Sequence, residues 1–146
     1  MIWISLLQMV WGVIQAVSLG SDLPTPEERL VLQETNLVRS QYGLEPLSFD
    51  VRLMRAARSH AATMAQARVM SHNFRGNTPA GRANYFGYHA PIRENIANGY
   101  GPDSVVNVAW MNSPPHRANI LSPSTNIGVG MVWAHGRWWA CQVLGN

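Results

Sequence analysis

The strongest constraint in this 146-residue sequence is the order of its patterned segments: helical signals come first and strand signals last. The closing stretch, "TNIGVGMVWAHGRWWACQVLG", reads as two β-type runs around the turn "AHGR", which is a hairpin. No strand–helix–strand alternation precedes it, so the predicted class is α+β, with helices packed on a small antiparallel sheet. No internal repeat, linker or low-complexity tract interrupts the pattern. The length suits one domain with a proper core, and 47% apolar against 13% charged residues excludes a disordered chain.

The helices are marked by their ends. In "TPEERLVLQETNLVRSQYG", Thr25 is the expected N-cap, Pro26 suits the first helical position, Glu28 completes a capping box and Gly43 is the stop. Leu30, Val31, Leu37, Val38 and Tyr42 are read as its apolar face. "LEPLSFD" is read as a short connection. Asp50 is the expected N-cap of a second helix whose buried face carries Leu53, Ala57, His60, Ala61 and Met64, with Arg52, Arg55 and Arg58 largely elsewhere. "TPAGRANYFG" repeats the threonine–proline start of a short helix, and "RENIANGYG" reads as a brief extended segment entering a turn. Asp103 is the expected cap of a third substantial helix, "SVVNVAWMN", ended by Pro114 and Pro115.

Charge is unevenly placed. All eleven basic residues are arginine, and six of the eight acids precede residue 51. Residues 51–146 hold nine arginines against Glu94 and Asp103 alone, a formal +7. That balance favours anionic surfaces such as acidic cell-wall polymers or anionic lipid. The arginines form no run, so a nucleic-acid role is not expected. Residues 1–21 open on a long apolar stretch without a basic start, read as a signal peptide or an N-terminal anchor, with residues 25–146 as the domain. Export is the favoured reading. Cys141 is the only cysteine, so no internal disulfide forms.

Few residues look chemical. Asp50 and Asp103 are explained as caps, and the early glutamates as surface or helix-start residues. Glu94 is left over: it either pairs with Arg93 or another arginine, or serves as a metal ligand or general base. Of five histidines, His135 falls in the hairpin turn, His89 in an irregular loop, and His60 reads as a hydrogen-bonded core residue. His72 follows the second helix and His116 follows the third, both placed at the rim of a groove. Two imidazoles and a carboxylate suit an open zinc site, although no HExxH is present. Cys141, within "WWACQV", reads as a small buried hydrophobe, and the tryptophans of that strand as core. No GxSxG and no phosphate-cradling or dinucleotide motif occurs, so no nucleotide cofactor is expected.

Several blocks, in order, carry a resemblance: "NLVRSQYGLEPLSFDVRLMRAARSHAATMA", "SH", "RENIANG", "VAWMNSPPHRANIL", "IGVGMV" and "WWACQVLG". Together they resemble the CAP superfamily, the SCP-like extracellular domains of cysteine-rich secretory proteins. The likeness is greatest to the short bacterial branch without disulfides, and covers residues 28–145. It implies a three-layer α-β-α sandwich, secreted or surface-exposed, with a central cleft. By position it assigns His72, Glu94 and His116 to a divalent-metal site, usually taken to be zinc, with Asn95, Arg117 and Asn119 supporting the cleft. The sequence departs from the pattern at Arg93, where relatives have glycine, at Ser113, near a second family glutamate, and at Cys141, where relatives often have a small polar residue. The implied function is a recognition or binding module, expected to be monomeric, for lipid, peptide or an anionic envelope polymer. A zinc-dependent hydrolase, with Glu94 as candidate base, is the alternative.

Overall fold

The computed structural model describes residues 21–146, so the expected leader or anchor lies outside the described residues but for Ser21. Helix α1 (Pro26–Gln41) starts with the capping box: Glu28 N–H donates to Thr25 Oγ1 at 3.2 Å, and Thr25 N–H donates to Glu28 Oε2 at 2.9 Å. Its buried stripe is Val31, Thr35 and Val38, flanked by Glu28 and Arg39, while Leu37 is 53% exposed. The buried face is therefore rotated from the expected one. Polar side chains with distant partners occupy part of the core-facing stripe, and a pattern that counts only apolar residues misses them. Glu28 is one: it is buried under Arg58, whose guanidinium donates to both carboxylate oxygens at 2.6 and 2.7 Å.

The segment expected as a plain connection holds a two-residue strand, β1 (Ser48–Phe49). Asp50 then caps α2 (Val51–Ala67) by accepting from the N–H groups of Arg52 and Leu53, and the expected face is buried. Thr78 caps α3 (Pro79–Tyr85), and β2 (Ile92–Asn98) follows. The third substantial helix is a six-residue π-helix, Val105–Trp110, whose N-cap position is Ser104 with no side-chain cap. Asp103 does not cap it. The wide turn, closed by Met111 N–H on Val106 O, gathers Val105, Val106 and Trp110 into one narrow buried arc. Helix α4 (Pro114–Ile120) and the hairpin strands β3 (Asn126–Ala134) and β4 (Arg137–Gly145) complete the order.

The four strands form one sheet, ordered β1-β3-β4-β2. All pairings are antiparallel except β1 with β3, so the sheet is mixed rather than purely antiparallel. The parallel pair is possible because α2 and everything up to β3 lie between its strands. One face packs against α2 and α3 through Leu53, Ala57, Ile96, Trp139, Cys141 and Val143. The other packs against α1 and the π-helix through Val31, Val105, Trp110, Val129, Ala140 and Leu144. The result is an α+β sandwich. Helix α2 lies unusually close to β3, because a Cβ on Gly128 would sit 2.1 Å from the backbone of Leu53 and Met54. Only a residue without a side chain permits that approach.

Candidate functional site

Strand β2 is at a sheet edge, and its side chains alternate between the two layers. Glu94 and Ile96 enter the α2 layer; Arg93, Asn95 and Ala97 enter the α1 layer. The outward carbonyls of this edge are covered: Asn119 Nδ2 donates to Glu94 O at 3.3 Å and Trp110 Nε1 to Ile96 O at 3.1 Å. An edge closed in this way offers no strand-pairing template at those positions.

Glu94 is buried among three donors, the weakest being the Cys141 thiol, 3.6 Å from Oε2. Arg82 of α3 donates through Nη2 to Oε2 at 2.7 Å, and His72 donates through Nδ1 to Oε1 at 2.9 Å. Arg82 is itself 3% exposed and also donates to the carbonyls of Asn77 and His72. The arginine partner is thus Arg82, not the adjacent Arg93, which crosses to the other layer and bonds Ser124 Oγ at 3.3 Å. An ionised carboxylate only accepts, so His72 carries a proton on Nδ1, and in the neutral ring that tautomer leaves the lone pair on Nε2.

His116 is held from the opposite layer. Pro114 and Pro115 fill the first two positions of α4, Pro115 removes one of the two N–H groups a capping serine can take, and Ser113 makes no side-chain cap. Ser113 Oγ is left to bond the His116 ring, 2.8 Å from Nδ1. The His116 carbonyl accepts from Asn95 Nδ2 at 3.1 Å, and Asn119 Nδ2 donates to Asn95 Oδ1 at 2.8 Å. Arg117 turns away to Tyr42, bonding its hydroxyl at 2.6 Å and stacking over its ring, which ties α4 to the end of α1. Burial, with His72 nearby, pushes the His116 pKa below the ordinary histidine value, so its ring is neutral at pH 7.

Structure and sequence agree on the remaining groups with one exception. His60 is a buried residue donating Nε2–H to Ser71 O at 2.7 Å, and burial likewise lowers its pKa. Burial pushes the Cys141 thiol up, and Glu94 adds to the shift, so no thiolate nucleophile arises. His89 and His135 are exposed. Trp139 is core, whereas Trp138 packs against the α1-side core cluster but stays half-buried, so the expectation for that strand holds only in part. Sequence reasoning missed Arg82. Its only signal was that a lone acid in a basic region needs a cation, and spacing does not say which one.

His72 and Glu94 are in contact, while no hydrogen bond joins His116 to either among the described residues. Nor do three His, Cys, Asp or Glu side chains there group as a metal cage. What the site presents is two imidazoles, each fixed through Nδ1.

The model of the cysteine-rich secretory protein family, CAP, matches residues 32–143. The chain belongs to this family. The CAP domain is 37% identical over 122 residues to YkwD of Bacillus subtilis, covering 82% of this chain but 47% of YkwD, so it spans less than half of that relative. An outer surface protein from Borrelia burgdorferi superposes with a TM-score of 0.78 at 25% identity, covering 85% of this chain and 96% of that one. An extracellular SCP-domain protein from Bacillus anthracis gives 0.70 at 24% identity, over 86% and 45% of the two chains, and supports the fold. Unlike the family's name, this CAP domain is cysteine-poor: Cys141 is buried and unpaired.

Proposed function

We propose that this CAP domain is a recognition module of the cell surface or extracellular space, and that His72 and His116 form its binding pair. The observation that carries this reading is the commitment of both Nδ1 atoms inside the protein, to Glu94 and Ser113, with no partner for either Nε2 among the described residues. A divalent ion, zinc by preference, suits two imidazole Nε2 atoms, with water completing its shell. The carboxylate then orients His72 from behind instead of ligating, a common division of labour around imidazole ligands. Bound there, zinc would supply a Lewis acid for recognising an anionic or carbonyl group. The surface location draws support from the outer surface protein of Borrelia burgdorferi, the extracellular SCP-domain protein of Bacillus anthracis and the apolar N-terminal segment. No described helix is long and apolar enough to cross a membrane.

A binding role fits Glu94 better than a catalytic one. Its side chain is 2% exposed and held by Arg82, which leaves it poorly placed to take a proton from an attacking water. Calorimetric titration with zinc tests the pair. Binding is expected in the parent chain, lost in His72→Ala and His116→Ala, and weakened by about tenfold in Glu94→Gln, as for orienting partners of metal ligands. Unchanged affinity in both histidine variants would sink the site. Peptide hydrolysis abolished by chelator and restored by zinc would replace recognition with catalysis.

A further inference from the structure

The far end of the β-hairpin carries an aromatic surface that the histidine pair does not use. It lies beside the last residues of β2, four positions along the strand from Glu94, or about 13 Å at the usual rise. Trp133 and Trp138 are cross-strand partners on one face, with ring centroids 5.4 Å apart at 69°. Trp133 is 60% exposed and Tyr100 is 39% exposed. Gly99, Gly136 and Arg137 complete a shallow depression of about 380 Å³ around the two indoles.

The surroundings keep the rings open. A Cβ on Gly101 would lie 2.9 Å from Asp103 Oδ1 but in ordinary contact, 3.7 Å, with Trp138 Cδ1, so glycine there makes room for the carboxylate beside the indole. Asp103 makes no ion pair or side-chain hydrogen bond among the described residues. The turn residues His135 and Gly136 both have positive φ, 53° and 74°, giving the tight two-residue reversal that places Arg137 directly after the tip. Arg137 is exposed, and on the other side of the same tip Arg68 Nη2 meets His135 Nδ1 at 2.9 Å.

We propose that Trp133, Trp138 and Arg137 form a binding site for an acidic pyranose of a glycan strand. The electron-rich indole faces take the C–H face of a sugar ring, and the guanidinium pairs with its carboxylate. Local charge favours an acidic sugar: Arg137 is exposed at the rim with no acidic partner among the described residues, and Arg68 lies across the same tip. Asp103 remains as an acceptor for sugar hydroxyls. A membrane is the weaker occupant, because Trp133 is followed by His135, Gly136 and Arg137 and has no continuous apolar neighbourhood to insert. The site stands independently of the histidine pair.

Tryptophan fluorescence titration of the full chain separates the possibilities, using three probes: a galacturonic acid hexamer, an N-acetylglucosamine hexamer, and phosphatidylglycerol vesicles. Binding of the acidic hexamer is expected, weakened by about tenfold in Trp133→Ala and in Arg137→Gln, and reduced by salt. Trp133→Phe should retain most of it, His72→Ala should leave it unchanged, and the neutral hexamer should bind more weakly. Because Trp133 is exposed, the melting temperature of Trp133→Ala should match the parent's, which checks that lost binding is not lost fold. Equal binding of both hexamers, binding to neither, retention in Trp133→Ala, or a Trp133-dependent preference for vesicles would each overturn the proposal.

Discussion

Glu94 and Asn95 are neighbours on β2, yet one enters a charged network and the other a neutral one. On the α2 side, Arg82, Glu94 and His72 form a chain of short hydrogen bonds centred on a charged carboxylate, ending on a ring 48% exposed. On the α1 side, Asn95 donates to Gln142 Oε1 at 3.1 Å, and Gln142 Nε2 donates to Thr35 Oγ1 at 2.8 Å. Thr35 then donates to Val31 O at 2.7 Å inside α1. This neutral chain links β2, β4 and α1 within the core, and part-buried bonds from Asn95 to His116 O and from Asn119 extend it to α4. Neutral groups are satisfied there at modest cost, whereas a buried charge persists only when matched by its opposite. The charged chain thus sits where it can reach the surface, and the neutral one where it can stitch layers. His72 and His116, the two histidines of the proposed pair, are thus tied to different networks on opposite faces of the edge strand.

Several measurements break or sharpen that contrast. The harshest is Gly128→Ala on the α2 side. A methyl would lie 2.1 Å from backbone that no rotamer change can move, so no single cooperative urea transition is expected. Next, Arg82→Met strands Glu94 without its cation and should cost about 3–5 kcal/mol in urea unfolding. The double variant Arg82→Met with Glu94→Leu should recover much of that stability while zinc affinity stays low. On the neutral side, Gln142→Leu leaves Asn95 and Thr35 each short of a partner and should cost about 1–3 kcal/mol. A loss there equal to the Arg82→Met loss would erase the distinction between the two networks.

The smallest effect is on pH dependence. Burial lowers the pKa of both His60 and His116 in the folded chain. On acidification the unfolded chain takes up these protons first, near the ordinary histidine value of 6.5, while the folded chain resists. Stability is therefore full above about pH 6.5 and falls as pH drops below it toward the lowered folded values. Melting temperatures measured in chelator between pH 7.5 and 5.5 should fall, and fall less in His116→Gln.

What the sequence made legible was local. The Thr25–Glu28 box, the Asp50 cap and the "AHGR" reversal depend on residues within a few positions, and each forms as expected. The features it hid depend on distant partners. Glu28 looks like an ordinary first-turn acid until Arg58, thirty residues on, closes over it. Two residues of β1 carry no periodicity, so their pairing with β3 has no local signal. His72 and Glu94 stand out together in the sequence and do meet, but the cation beneath them was one of nine arginines with no mark of its own. Trp133 and Trp138 look like Trp139 in sequence, but they share the α1-side face while Trp139 enters the α2 layer, and only the packed layers show which indole is covered.

The sheet order also has a kinetic side. Its two central strands, β3 and β4, are the last to be synthesised, so β1 and β2 wait unpaired until residues 126–145 arrive. Arg39 waits as well: its guanidinium is satisfied by the carbonyls of Ile120 and Ser122, 81 and 83 residues later. Contacts of such high sequence separation form slowly and nearly together. A nascent chain cut anywhere before the hairpin would hold capped helices and no sheet to dock them, which makes the C-terminal hairpin the step that commits the whole molecule to its native state.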